Sequence, residues 1–390
     1  MRTVGIISEY NPFHNGHKRQ LDLIRSRLDC RIVSIMSPNI VQRGELSLFD
    51  KYERARASVL SGVDLCVSMP AVFANLSAEG FAEAGVKIAH SLGADTLSFG
   101  VECDSVELLS EIAELSLTEA FSESVSALCR DNPSLSLIKA GELVLTDTLG
   151  DGVAKAVSQP NNILALEYIK AIKRLGLPIE LLPVKREGEG YKSLVPSALP
   201  SATLVRRELI ENGRCDGLVP DEARDIYHSL LNEGRYTDLD LYSRIVKATL
   251  TPMPLDELEI YLGSRELASR LLTGLGTTAT LSEAIDYAVC ARYTRARIKR
   301  GTVSALFKIK HNEFMHATPE FAQLLAFSSK GRELLSELRG DFKIVTKPAD
   351  MPDCRQARLE RLIDGTWAGA SAKALPYNYF IKKSPFVKGQ

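Results

Sequence analysis

Tyr10-Asn11-Pro12-Phe13-His14-Asn15-Gly16-His17 separates a short apolar run, Val4-Gly5-Ile6-Ile7, from a segment in which Leu21, Ile24 and Leu28 recur on one face. The run has the composition of a buried parallel strand, and the stripe predicts a helix beginning near His17. Pro12 calls for an extended residue before it and keeps the strand from running straight into the helix. Gly16 removes a side chain at the turn, which lets a ligand come close to the backbone. The free N–H groups and positive dipole end of the new helix then face whatever lies above the strand's carboxyl end, and an anion is the natural guest. His14 and His17 can donate hydrogen bonds to phosphate oxygens and, if charged, spread the negative charge of an attacked α-phosphate. A surface turn with two solvated histidines and half of a zinc site are the plainer alternatives. No Cys or His pair accompanies the motif to complete a metal site.

Outward from this turn, strand and helix patterns alternate. Ile32 to Met36 reads as a second strand, followed by Ser37-Pro38-Asn39 and the polar stretch Val41-Gln42-Arg43-Gly44-Glu45. Asp50 to Ser61 reads as a helix, Asp64 to Met69 as a strand, Ala78 to Leu92 as a helix and Asp95 to Gly100 as a strand ending on glycine. Such regularity argues for an α/β fold with a doubly wound parallel sheet and ligands above the strands' carboxyl ends. Two short helices between Ser105 and Arg130, a helix capped by Asn161 or Asn162, and a strand from Ile179 to Val184 extend the pattern.

Pro200-Ser201-Ala202-Thr203-Leu204-Val205-Arg206 begins another helix, with hydroxyls in its first turn and an Arg one turn on. This is a candidate second anion site, in which Thr203 and Arg206 would hold a leaving pyrophosphate. From about Gly217 the β patterns mostly give way to helices: 220–232, 239–248, 255–262, 264–275 and 281–300, with a lone strand at 342–346 and a last helix at 351–363. The expected division is a nucleotide-binding domain over residues 1–216 and a mainly α-helical domain over 217–390. Within the latter, Arg292, Arg295, Arg297, Lys299 and Arg300 form a run with Asp286 as the only nearby acid. Charged helix faces usually mix signs, so this excess points to nucleic-acid phosphates.

The chain of 390 residues has ordinary globular proportions, 45% hydrophobic and 25% charged, and a formal net charge of −1. No global basic field exists, so a nucleic-acid surface must be a local patch. Seven scattered cysteines without a C-x-x-C pair read as reduced thiols. With no signal peptide, no apolar run of membrane-spanning length and no P-loop, a soluble cytoplasmic protein with a single nucleotide site is expected.

The strand, His-x-Gly-His, helix arrangement resembles the adenylyl-transferring nucleotidyltransferases, the superfamily that includes class I aminoacyl-tRNA synthetases. Taken with Glu9, Val41-Gln42-Arg43-Gly44-Glu45, Ser77-Ala78-Glu79, Phe99-Gly100, Asn161-Asn162-Ile163-Leu164, Ser201-Ala202-Thr203 and Tyr293-Thr294-Arg295, the chain resembles the bacterial tRNA(Met) cytidine acetate ligases. The resemblance implies activation of acetate by ATP, with Mg²⁺ as its usual companion, and acetylation of N4 of the wobble cytidine in the anticodon loop of elongator tRNA(Met). It places ATP at Ile7, Ser8, Glu9, Tyr10, Asn11, Pro12, Phe13, His14, Asn15, Gly16, His17, Lys18, Arg19 and Gln20, at Gly100 and Asn161, and at Arg186 with its neighbour Glu187. His14 and His17 would be the catalytic pair, and the basic run would bind tRNA. Two alternatives stay open on the residues alone: adenylylation of a small phosphorylated acceptor, and a non-catalytic tRNA-binding protein.

Overall fold

The computed structural model describes residues 1–103, 105–132, 135–150, 152–185 and 200–389. Its strands are β1 (Arg2–Ser8), β2 (Cys30–Met36), β3 (Ile40–Val41), β4 (Glu45–Leu46), β5 (Leu65–Ser68), β6 (Thr96–Val101), β7 (Glu180–Lys185), β8 (Phe321–Phe327), β9 (Lys343–Val345) and β10 (Phe386–Val387). β1 lies centrally, parallel to β2 with Val4 opposite Ile32 and parallel to β6 with Val4 opposite Thr96. β5 continues parallel beyond β2, and β7 beyond β6. The chain therefore winds β1, β2, β5 one way and then crosses back to start β6 on the other side of β1. That reversal opens a crevice above the carboxyl ends of β1 and β6, as the alternating patterns imply. Val4, Ile32, Val33, Ile35 and Leu97 are wholly buried because helices cover both faces of the sheet.

Four expectations need correction. The sheet does not end with the first half of the chain: β8 adds antiparallel to β5, and β9 and β10 both pair with β8. Phe321-Ala322-Gln323-Leu324-Leu325-Ala326 shows no polar alternation because every one of these residues is buried, so no period of two marks the strand. The supposed lone strand at 342–346 is β9, paired to β8.

The single helix expected over 281–300 is two, Leu281–Ala288 and Arg295–Leu306. Cys290 and Tyr293 bridge in the turn between them, and the Thr294 hydroxyl caps the second helix by accepting the Arg297 N–H at 3.4 Å. Arg292 therefore lies outside the helix that carries Arg295 and Lys299.

Asn161 and Asn162 do not cap the helix Pro160–Leu175. Gln159 precedes it without a side-chain cap and Pro160 occupies its first turn, leaving the two Asn side chains to serve β6. Among the described residues no helix is long and apolar enough to cross a membrane, and no disulfide joins any of the seven cysteines.

Candidate active site

A cleft of about 640 Å³ lies above the carboxyl ends of β1 and β6. Its floor is the turn that follows β1. His14 is the N-cap of the helix Asn15–Arg27: its Nδ1 accepts the Gly16 N–H at 3.1 Å, and the His17 Nδ1 accepts the His14 N–H at 3.2 Å. The two rings stack with centroids 3.8 Å apart. A nitrogen that accepts an amide proton carries none, so each ring is fixed as the tautomer with its N–H at Nε2. Of the two roles expected, this geometry suits hydrogen-bond donation, because an imidazolium would forfeit its amide bond. The pair is built as two neutral donors.

The same geometry explains Gly16, where a Cβ would stand 2.9 Å from the His14 ring. The glycine makes room for a catalytic ring rather than for the ligand itself.

The rest of the turn is held from several sides. Tyr10 and Phe13 are buried, and their rings lie 4.8 and 5.4 Å from that of His17. The Phe13 N–H donates to the Tyr227 hydroxyl at 3.0 Å, and the Asn11 side chain accepts the Leu48 N–H at 2.8 Å. Arg54, wholly buried, donates to the carbonyls of Glu9, Ser37, Pro38 and Phe49. One guanidinium thus ties the loop after β1 to the loop after β2, and burial pulls it down to about 10.

On the β6 side, Gln20 donates to the Ser98 hydroxyl at 3.2 Å. Asn161 donates to a Glu102 carboxylate oxygen at 2.5 Å, and the Glu102 N–H donates to the Asn162 side chain at 2.8 Å. The second Glu102 oxygen and the Asn162 amide nitrogen are buried without a protein partner, which leaves an acceptor and a donor for a ligand. Gly100 and Tyr168 line the cleft beside them. Ser201 caps the helix Ala202–Asn212 by accepting the Leu204 N–H at 3.2 Å. Ser201 and Ala202 line the cleft, and the Pro200 carbonyl comes within 3.8 Å of where a Gly16 Cβ would be. Two helix N-termini therefore converge on one place, each bringing the positive end of its dipole; at the first, the N–H groups of Asn15, Gly16, His17 and Lys18 are already bonded within the protein.

The opposite wall comes from farther away in the chain. Gln42 and Arg43 reach the cleft from the β3–β4 hairpin, and Ala296 and Arg300 from the helix Arg295–Leu306. Gly44, at φ +72°, packs its backbone on that of Arg300 and leaves no space for a Cβ. Burial pushes the Glu9 carboxyl up, against the opposing pull of Arg43 and the Gln42 N–H. Burial would also raise Glu45, but Lys299, Arg206 and Arg43 outweigh it and hold its carboxyl below the usual range. Lys299 lies 2.6 Å from Glu45.

Of the residues expected at the nucleotide, Ile7, Ser8, Glu9, Tyr10, Asn11, His14, Gly16, His17, Arg19, Gln20, Gly100 and Asn161 line the cleft. Pro12, Phe13, Asn15 and Lys18 do not: Phe13 is core, Asn15 donates to the Gly217 carbonyl at 2.8 Å, and Lys18 pairs with Asp22 on the surface. Thr203 and Arg206 also fall outside the lining. Arg206 donates to the Asn11 carbonyl at 2.6 Å and to Thr203 at 3.4 Å, so it braces the turn rather than reaching into the cleft. Arg186 and Glu187 lie outside the described residues.

The basic run divides as well. Arg292 pairs with Glu266, Arg295 with Asp286 and Lys299 with Glu45, while Arg297 stacks on Tyr293 with its guanidinium 5.1 Å from the ring centroid. Arg300 alone of the five lines the cleft. Ser98, Glu102 and Lys185 were not anticipated. Their signal was position, since Ser98 lies within β6, Glu102 directly follows it and Lys185 ends β7.

A family model, HIGH Nucleotidyl Transferase, matches residues 1–372. The chain is 33% identical to the tRNA(Met) cytidine acetate ligase of Caldanaerobacter subterraneus subsp. tengcongensis, over 99% of this chain and 98% of the relative. It is 29% identical to that of Clostridium perfringens, over 88% of this chain and 89% of the relative. Among solved structures, Thermotoga maritima TmcAL in its apo form superposes with a TM-score of 0.91 at 25% identity, over 99% of both chains. The same protein bound with alpha-thio ATP superposes at 0.89 and 24% identity, over 99% of this chain and 100% of the other. With its His-x-Gly-His turn at the topological switch of a parallel sheet, the chain belongs to the HIGH nucleotidyl transferase family and, within it, to the tRNA(Met) cytidine acetate ligases.

Proposed function

We infer that the protein is an ATP-dependent tRNA-modifying ligase, which activates acetate as acetyl-adenylate and transfers the acetyl group to N4 of the wobble cytidine in the anticodon loop of elongator tRNA(Met). The observation that carries this reading is the convergence of two helix N-termini on a pair of neutral imidazole donors above the carboxyl end of β1. Acetate is a poor acyl donor and cytosine N4 a weak nucleophile, so a mixed anhydride links them. A carboxylate oxygen attacks the α-phosphorus of ATP and pyrophosphate departs. The Nε2–H groups of His14 and His17 and the positive dipole ends of the two helices stabilise the charge on the transferring phosphoryl group. Asn161, Glu102 and Gly100 lie where the nucleoside would be read, and Arg186 is assigned to the phosphates by resemblance. Arg206 and Thr203 act through the turn.

No group of three His, Cys, Asp or Glu side chains able to hold a metal occurs among the described residues. Mg²⁺ would accordingly arrive on the nucleotide's phosphates rather than in a cage of protein ligands. Residues 1–216 would carry the nucleotide half, and the helices following Gly217, with Arg292, Arg295 and Arg297 exposed or half-buried at their surface, would meet the tRNA backbone. A splayed cytidine suits single-stranded loop recognition, and a cytoplasmic location follows from the substrate.

The test is carboxylate-dependent exchange between ATP and labelled pyrophosphate, followed by acetyl transfer to tRNA(Met). Exchange with acetate and an N4-acetylated product establish the reading. Exchange that requires a phosphorylated small molecule instead would replace it with a cofactor adenylyltransferase, and tRNA binding without turnover would leave a binding protein.

A further inference from the structure

Arg300 differs from every other cation of its segment. It lines the cleft, yet no hydrogen bond or ion pair of its guanidinium is found among the described residues, while Arg292, Arg295 and Lys299 each hold a carboxylate. Burial, and then the charge of Arg297, pull it down to about 10, with no acid acting on it. A desolvated cation without a partner is costly, so the anion that completes it is expected to come with a ligand.

Its surroundings indicate how large that anion is. Ala296 stands one helical turn before Arg300 on the same face and also lines the cleft. Ala78 and Phe81 line the same cleft from the first turn of the helix Ala78–Ser91. The Asn75 amide donates to the Arg300 carbonyl and to the Ser304 hydroxyl, both at 3.1 Å, so the two walls are fastened together. The place thus brings a cation together with small and aromatic apolar side chains of the same cleft.

Resting on the function proposed above, we propose that Arg300, Ala296, Ala78 and Phe81 form the subsite for the short carboxylic acid, with Arg300 pairing its carboxylate and the apolar residues covering its alkyl end. One carboxylate oxygen stays on the guanidinium. The other forms the bond to the α-phosphorus as the α–β phosphoanhydride bond breaks and pyrophosphate carries away the electron pair, with no proton transferred. Arg300 is then a substrate-binding residue of the first half-reaction rather than a contact to the RNA backbone.

The experiment measures exchange between ATP and pyrophosphate in wild type, Arg300→Gln and Arg300→Lys as acetate is varied, together with the KM for ATP and for tRNA. Arg300→Gln is expected to raise the KM for acetate roughly a hundredfold at unchanged KM for ATP, the loss of one charge-assisted pair, and Arg300→Lys to recover part of it without the planar fork. Unchanged acetate dependence with a raised KM for tRNA would overturn the proposal in favour of an RNA phosphate, and a raised KM for ATP alone in favour of the nucleotide. In parallel, binding of [¹³C]acetate is followed by NMR with the same proteins. Should wild type show no exchange with any carboxylate, the proposed function fails. The subsite then stands if acetate binding is lost in Arg300→Gln and falls if it is not.

Discussion

At the scale of single residues, the site rests on where protons sit. His14 and His17 each use Nδ1 to accept a backbone N–H, which leaves Nε2–H as the only group either ring can offer a phosphate. His17→Ala removes one donor and frees the His14 N–H. Adenylation should fall by roughly 10² or more, the usual cost of one oxyanion donor of ~3 kcal/mol, with circular dichroism unchanged. Wild-type exchange rates in that variant would refute the cradle. Gly16→Ala tests the same geometry sterically, because the added methyl would stand 2.9 Å from the His14 ring. It should displace the ring, lose the cap at about 1 kcal/mol of stability, and reduce exchange as severely as removing the histidine. An active, undisturbed Gly16→Ala protein would show that the ring is not held as described. The histidines and the glycine were legible in the sequence because residue types and spacing carried them. The tautomers were not, since they depend on φ and ψ at His14. Arg54 was equally hidden: nothing in the string Lys51-Tyr52-Glu53-Arg54 distinguishes a solvated helix cation from one buried among four carbonyl groups of separate loops.

At the scale of elements, the parallel strands and their helices were legible because alternation, Gly and Pro marked their ends. The break at Val289–Thr294 was not, because no Gly or Pro announces it and a Thr hydroxyl does the work. The consequence is that Arg292 sits in the turn while Arg295, Arg297, Lys299 and Arg300 share the second helix. Lys299 is held by Glu45 at 2.6 Å, and Glu45 in turn lies 3.9 Å from Arg206, which donates to the Asn11 carbonyl at 2.6 Å. Arg297, stacked on Tyr293, has no carboxylate among its ion pairs in the described residues. Arg297→Ala should lower the slope of log K for tRNA against log salt by about 1. Lys299→Ala should leave that slope unchanged and lower the melting temperature instead. Equal slope changes for both would mean that the Lys299–Glu45 pair opens to bind RNA.

At the scale of the whole molecule, the surprise is the return of the C-terminal part to the sheet. β8 pairs with β5, and the helix Arg355–Gly369 is fastened by Lys51, whose ammonium lies 2.6 Å from Glu360 and 2.8 Å from Asp364 in full burial. Glu360 also accepts the Ala71 N–H at 2.7 Å, and Asn39 donates to Asp364 at 2.8 Å. Lys51→Met would leave two buried carboxylates without their cation and should cost about 3–5 kcal/mol in urea unfolding. Burial, though opposed by Lys51, pushes Asp364 up to about 7 with help from Glu360. A carboxyl raised in the folded state binds its proton there more tightly than when unfolded. Its contribution to stability is therefore complete below the ordinary aspartate range and lost as pH rises through about 7. Unfolding midpoints of wild type should decline across that window relative to Asp364→Asn, and parallel pH profiles would contradict the assignment. None of this was visible from local pattern, because the partners are some three hundred positions apart. For a chain emerging from the ribosome, that distance sets an order of events. The residues of the nucleotide turn are made some three hundred positions before the strand that borders β5 and the helix that neutralises Lys51. The β5 edge beside that turn stays open until those later residues have been synthesised and can cover it.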